Sequence, residues 1–267
     1  MPLMRALTMM AAVALALAAW LVRAADAPPP PNLKPLDSEG RLAAYALVWH
    51  DEFDGDKLDI EAWKYRRGKR LLGVNLPDNV SVADGCLRLA LKKEPAEGLA
   101  YTCGGVISQR LFQYGYFEAR FMCPPGAGWH TSFWTDYDGG GTADDAHKQE
   151  IDICEQDSVH LDRYSAGVID WSVEPQKDHG RQWIAKCPDL SADFHVWGCE
   201  FTPTVVRFFF DGKLTHQCDA TKFPHGRASV WLTSVPALLG GTKKVDDSQL
   251  PAVAVFDWVR VYEAPGG

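Results

Sequence analysis

Residues 44–264 predict an all-β fold, an antiparallel β-sandwich, and three observations carry that expectation. Helix signals are scarce beyond Leu47. Short runs rich in Val, Phe, Tyr and Trp are instead punctuated by Gly, Pro, Asp and Asn, the pattern of strands and turns. Within the runs, side chains alternate with period two. In "YFEARFM", Phe117, Ala119 and Phe121 share one face while Glu118 and Arg120 take the other. Repeated over ten or more strands, that alternation describes two sheets packed face to face.

Taken in order, the chain opens on a targeting segment. Arg5 precedes an apolar run from Ala6 to Val22, and "VRAADA" supplies small residues for cleavage. Residues 1–24 therefore read as a secretory signal peptide, cut near Ala24 or Ala25, with an uncleaved membrane anchor as the alternative. "APPPPNLKPL" follows as a stiff extended tether, assigned to residues 25–43. Strand-type runs then succeed one another, among them "ALVWHDEF", "NVSVADGCLRLALKK", "YTCGGVISQRLF", "EIDICEQ", "SAGVIDWSV", "VVRFFFDGKLTHQ" and "VAVFDWVRVYE". "DG" at 84–85 and at 211–212 marks tight hairpins. The segments "DYDGGGTADDAHK" and "VEPQKDHGRQWIAKCPDLSAD" read as long loops at a cleft edge. No repeat and no second domain is visible.

A formal net charge of -8 argues against nucleic acid and against an anionic membrane surface as partner. After signal cleavage no membrane association is expected, and a secreted or periplasmic monomer is the natural reading. The seven Cys leave at least one thiol unpaired, and their spacings match no zinc pattern. Cys103 and Cys123, symmetric about "FQYG", either face each other across a hairpin or are small buried hydrophobes.

Chemistry is concentrated in "HKQEIDICEQD". Glu150 and Asp152 alternate with Ile151 and Ile153 and point one way, their Cα atoms roughly 6.5–7 Å apart. Glu155, five residues after Glu150, would point the other way on a straight strand. A bulge between Ile153 and Glu155 returns it to the first face. The two glutamate Cα atoms then lie roughly 13 Å apart, and their side chains can close to the ~5–5.5 Å of a retaining glycosidase. Crowding three acids holds one proton in the cluster near neutral pH. A solvated acidic strand is the alternative.

"EIDICE" resembles the E-x-D-x-x-E signature of glycoside hydrolase family 16, in the β-bulge branch that holds laminarinases, agarases and carrageenases. "LVWHDEFDG", "NVSVADGCLRLALKK", "YGYFEARFMCPPGAGWHTSFW", "DFHVWGCEFTPTVVRFFFDGKL" and "FDWVRVYE" resemble further family segments in the family's order, from about Ala46 to Glu263. The resemblance implies a concanavalin-like β-jelly roll with an open concave cleft, and an endo-acting retaining enzyme. Glu150 would be the nucleophile, Glu155 the acid/base and Asp152 the residue assisting the nucleophile. No cofactor is implied for catalysis.

Trp129 and Trp134 fall where the family places aromatics along the cleft, and Trp171 is a similar candidate in the strand after the catalytic one. His130, Arg110 and Asn79 are further candidates for sugar hydroxyls. Trp49, Trp63 and Trp258 read as core. The resemblance also implies a structural Ca²⁺ held by Glu52, the carbonyl of Gly85 and Asp257, oxygen ligands that suit this ion. Two departures concern the substrate. Ile169 and Asp170 stand where many relatives carry a His, and "WHTSFWTDY" replaces the "WPAFWML" of many laminarinases, a change that leans toward galactan-cleaving members. β-1,3-glucan of the laminarin type is the expected substrate. A β-galactan hydrolase, a transglycosylase and a binding-only jelly roll are the alternatives. A sulfated galactan is disfavoured by the acidic chain, with no Lys/Arg cluster apparent near the cleft strands.

Overall fold

The structure, a computed structural model, describes residues 33–137 and 148–266. The expected signal segment and most of the first long loop lie outside the described residues. Two units are distinguished, Met1–Leu33 and Lys34–Gly267, and everything below concerns the second.

Among the described residues, seventeen strands form two sheets. One has the order β15 (Lys213–Asp219), β14 (Val205–Phe210), β13 (His195–Phe201), β8 (Gly115–Met122), β17 (Ala252–Glu263), β6 (Cys86–Leu91) and β5 (Val80–Ala83), with β1 (Ala46–Asp51) also on β17. The other runs β12 (Lys177–Ala185), β11 (Arg163–Asp170), β10 (Gln149–Asp157), β9 (Trp129–Asp136), β16 (Ala228–Pro236), β7 (Tyr101–Phe112), β4 (Gly73–Asn75) and β3 (Gly68–Arg70), with β2 (Trp63–Tyr65) also on β7. Neighbours are antiparallel except β4 on β7, which is parallel. No α-helix occurs among the described residues. This is the β-sandwich that the alternation predicts and the jelly roll that the family resemblance implies.

The core lies between the sheets. Phe117, Ala119 and Phe121 of β8 and Trp197 and Cys199 of β13 meet Phe133, Ile151, Ala166, Val168 and Leu232 of the second sheet. Phe121 is stacked between Trp197 and Phe256, at centroid distances of 3.9 and 4.6 Å. Both "DG" pairs make the two-residue turns expected of them. Asp84 and Gly85 have φ of 56° and 70°, and Asp211 and Gly212 have 47° and 73°, the left-handed pairs of a type I′ hairpin. Trp63 is fully buried, and Trp49 packs edge-on against it at 5.2 Å.

Three sequence expectations are corrected. The stretch from Lys34 to Ala43 is part of the folded body rather than a tether. The Leu36 amide donates to Glu118 Oε2 at 3.0 Å, and Leu42 is fully buried in a cluster with Tyr45, Tyr116, Phe209 and Tyr262. Burying such a leucine contributes about 1.5–3 kcal/mol, so this stretch covers the outer face of β8 and removes Glu118 from solvent.

"FQYG" is not a hairpin, because it carries the chain from β7 in one sheet to β8 in the other. Cys103 and Cys123 therefore belong to different packing clusters, and all seven cysteines are free. Burial pushes the Cys103 thiol up to about 12, as suits a small core hydrophobe. Finally, "KDHGRQWIA" is no loop. It forms β12, the edge strand beside β11.

Candidate active site

On β10 the side chains of Ile151, Ile153 and Cys154 enter the core, whereas Glu150, Asp152 and Glu155 line one pocket on the opposite face. The strand achieves this by a bulge. Against β9, Asp152 pairs with Trp134 and Cys154 with Phe133, so one extra residue is absorbed between them. Against β11, Asp152 pairs with Gly167 and Glu155 with Ser165, again with a register shift. Two consecutive side chains, Ile153 and Cys154, thus turn inward, and Glu155 returns to the face of Glu150.

Neighbouring strands supply the rest of the pocket by the same alternation. β9 contributes His130, Ser132 and Trp134, and β16 contributes Thr233 and Val235. Trp171, just after β11, donates from Nε1 to Glu150 Oε2 at 3.0 Å. His130 Nε2 stands 3.4 Å from Glu155 Oε1. Trp134 donates to Thr233 Oγ1 at 3.2 Å and lies 4.7 Å from Trp231.

The remaining expected binding residues are placed elsewhere by packing. Trp129 is 1% exposed, in a cluster with Leu91, Cys103 and Val235, and its Nε1 donates to the Pro124 carbonyl. An indole used as core offers no face to a sugar. Asn79 is buried and donates to the Ala90 carbonyl and Thr102 Oγ1, both at 3.0 Å. Arg110 reaches the Val48 carbonyl at 2.7 Å and lies over Phe112. None of the three lines the pocket.

Two groups of cations were not foreseen. Arg66 and Arg70 line the pocket, so basic side chains do reach the cleft strands. Arg66 lies over the rings of Trp134 and Trp231, at 5.7 and 5.2 Å. The run "YRRGKR" is visible in the sequence, but only the pairing of β2 with β7 and of β3 with β4 brings it to the cleft. Arg181 of β12 bridges two of the acids. Its Nη2 is 2.5 Å from Asp152 Oδ2, and its Nη1 pairs with Glu155 Oε2. Ser165 Oγ donates to the same Glu155 oxygen at 3.3 Å.

These contacts divide the acids electrostatically. Burial raises Glu150 above the usual carboxylate range. Burial, then the charges of Glu155 and Glu150, raise Asp152 well above it. Burial would raise Glu155 too, but His130 and Arg181 outweigh it and hold that carboxyl down to about 2. The cluster therefore keeps its proton on the Glu150–Asp152 side.

The calcium set fits poorly. Glu52 accepts from Arg260 Nε and Nη2 at 2.9 and 2.7 Å and stands 3.1 Å from His50 Nδ1. Asp257 is paired with Arg120. Both carboxylates are thus already neutralised by guanidinium groups. Among the described residues no group of three or more His, Cys, Asp or Glu could hold a metal.

The sequence profile of the glycosyl hydrolases family 16 matches residues 67–258. The chain belongs to this family. A beta-glucanase of Rhodothermus marinus is 28% identical over 85% of this chain and 88% of its own length. A beta-glucanase of Fibrobacter succinogenes is 27% identical over 58% of this chain, which spans only 45% of that protein. The solved laminarinase from Rhodothermus marinus superposes with a TM-score of 0.69 at 27% identity, covering 82% of this chain and 97% of that one. The chain is accordingly a glycosidase, an enzyme that hydrolyses glycosidic bonds of a polysaccharide.

Proposed function

We propose that this family 16 enzyme cuts β-1,3-glucan of the laminarin type internally, with retention of anomeric configuration. One observation carries the assignment of roles: the β10 bulge sets Glu150, Asp152 and Glu155 on one pocket wall. Glu150, steadied by Trp171, attacks the anomeric carbon as Glu155 protonates the departing oxygen, leaving a glycosyl ester on Glu150. Glu155, now a carboxylate, takes a proton from water, which releases the sugar with its original configuration. Asp152 shares the cluster's proton with Glu150 and does not bond to the sugar. Trp134, Trp171 and His130 line the path of the chain. The glucan reading draws on the Rhodothermus relatives. Secretion to the outside or the periplasm, as the N-terminal segment predicts, would put a monomeric enzyme where such polymers are met.

Cleavage of an anionic galactan is a second reading, favoured by Arg66 and Arg70 at the pocket. A panel of laminarin, mixed-linkage glucan, agarose and carrageenan separates the two. Laminarin should be cut to a ladder of oligosaccharides whose fresh ends are β by proton NMR. Glu150→Gln should abolish this. Glu155→Ala should spare an activated aryl glycoside and be partly rescued by azide. Fresh α ends would mean inversion and would remove the nucleophile role of Glu150.

A further inference from the structure

A retaining mechanism needs Glu155 protonated when the bond breaks, yet Glu155 is the acid most firmly held as an anion. His130 and Arg181 together hold it there, and the fold goes to some length to aim Arg181. On β11, Ala166 pairs with Gln182 and Val168 with His179, so Gly180 and Arg181 together oppose Gly167. That bulge needs Gly180 at φ +66°. A Cβ on Gly180 would come within 2.4 Å of the Cys218 Cβ, and one on Gly167 within 2.5 Å of the Arg181 Cα. Two bare backbones therefore let an edge strand turn a guanidinium inward. There it is 27% exposed, between Asp152 and Glu155, with Asp178 Oδ1 at 3.5 Å from its Nε.

We infer that Arg181 is a positioning residue of the reaction: its fork holds the cluster's negative charge on Glu155 at rest and on Asp152 when Glu155 becomes the acid. This rests on the roles proposed above for Glu150 and Glu155. The proton count is unchanged by the exchange. One proton leaves the Glu150–Asp152 pair, one arrives on Glu155, and the negative charge moves from Glu155 to Asp152. Arg181 stays cationic throughout, and each end of its fork already faces one of the two acids. A lysine, with a single point charge, cannot serve both.

Every charged or titratable group facing Glu155 enters the expected pH behaviour. These are His130 from β9, Glu150 and Asp152 from β10, and Arg181 from β12 with Asp178 behind it. Arg66 and Arg70 line the same pocket, and Ser165 of β11 adds a neutral donor.

The test is the pH dependence of kcat/KM on laminarin for wild type, Arg181→Gln and Arg181→Lys. Removing the cation should raise the alkaline limb by about 1–3 pH units, because the acid cluster then keeps its one proton to higher pH. In the same variant kcat at the acidic optimum should fall about tenfold or more, with KM little changed. Arg181→Lys should keep the limb near its wild-type place yet lose kcat. Carbon-13 titration of the glutamate side chains, assigned with Glu155→Gln, reads the same property without turnover. Glu155 should already be ionised near about pH 4 in wild type and move upward in Arg181→Gln. A limb that stays put in a folded Arg181→Gln, or a wild-type Glu155 titrating in the ordinary range, would overturn the inference. Failure of the wild type to cut any panel polymer would instead strike the roles proposed above, with the titration still deciding the place of Arg181.

Discussion

Trp171 is 40% exposed yet donates to Glu150 at 3.0 Å, so one side chain both borders the cleft and orients the attacking carboxylate. Trp171→Phe keeps an aromatic face and removes the donor. Hydrogen bonds to charged groups are worth about 1.5–3 kcal/mol, so kcat/KM on laminarin should fall about tenfold or more. An unchanged value would mean that the indole NH does not hold Glu150. At this scale the sequence distinguished poorly between tryptophans. Trp129 and Trp134 sit five residues apart in "GWHTSFW". Alternation sends an odd-spaced pair to opposite faces, and β9 does so: Trp129 is core and Trp134 lines the pocket.

Single strands carry a second consequence through β8. Its Glu118 belongs to the polar half of "YFEARFM", yet it is fully buried beneath Leu36 and accepts from Tyr262 Oη at 2.9 Å. Burial raises its carboxyl to about 7, despite the donors that oppose the shift. Because the folded value exceeds the unfolded one, the stabilisation is fully present below about 4.5 and is lost as pH rises through about 7. The loss amounts to on the order of 3 kcal/mol. Denaturant melts of wild type should weaken between pH 5 and 8 relative to Glu118→Gln, whose side chain cannot ionise. Parallel curves for the two proteins would show that Glu118 is not the group responsible.

For the molecule as a whole, the outer surface of the eight-stranded sheet bears on metal dependence. Arg260 and His50 outweigh burial and hold Glu52 down to about 2, and Arg260 lies over Trp258 at 3.9 Å. Two of the groups that the family resemblance gives to calcium are thus paired with arginines, Glu52 with Arg260 and Asp257 with Arg120. We expect the melting temperature to be the same in excess calcium and in excess chelator. A rise of several degrees on adding calcium would show that an ion displaces these pairs.

The sequence by itself determined the sandwich, the two I′ hairpins and the three acids, because each rests on local rules: period-two alternation, positive φ at "DG", and a five-residue offset that demands a bulge. Which face a side chain meets, and which partner waits there, was decided only by tertiary structure. "FQYG" has the composition of a hairpin turn, but its two strands join different sheets, and Cys103 and Cys123 part company. "KDHGRQWIA" carries little apolar alternation because β12 is an edge strand, mostly exposed. Arg181 was therefore invisible as a site residue: twenty-six positions separate it from Glu155. Strand pairing and two glycines without side chains close that gap, and long-range pairing leaves no local mark on a single sequence.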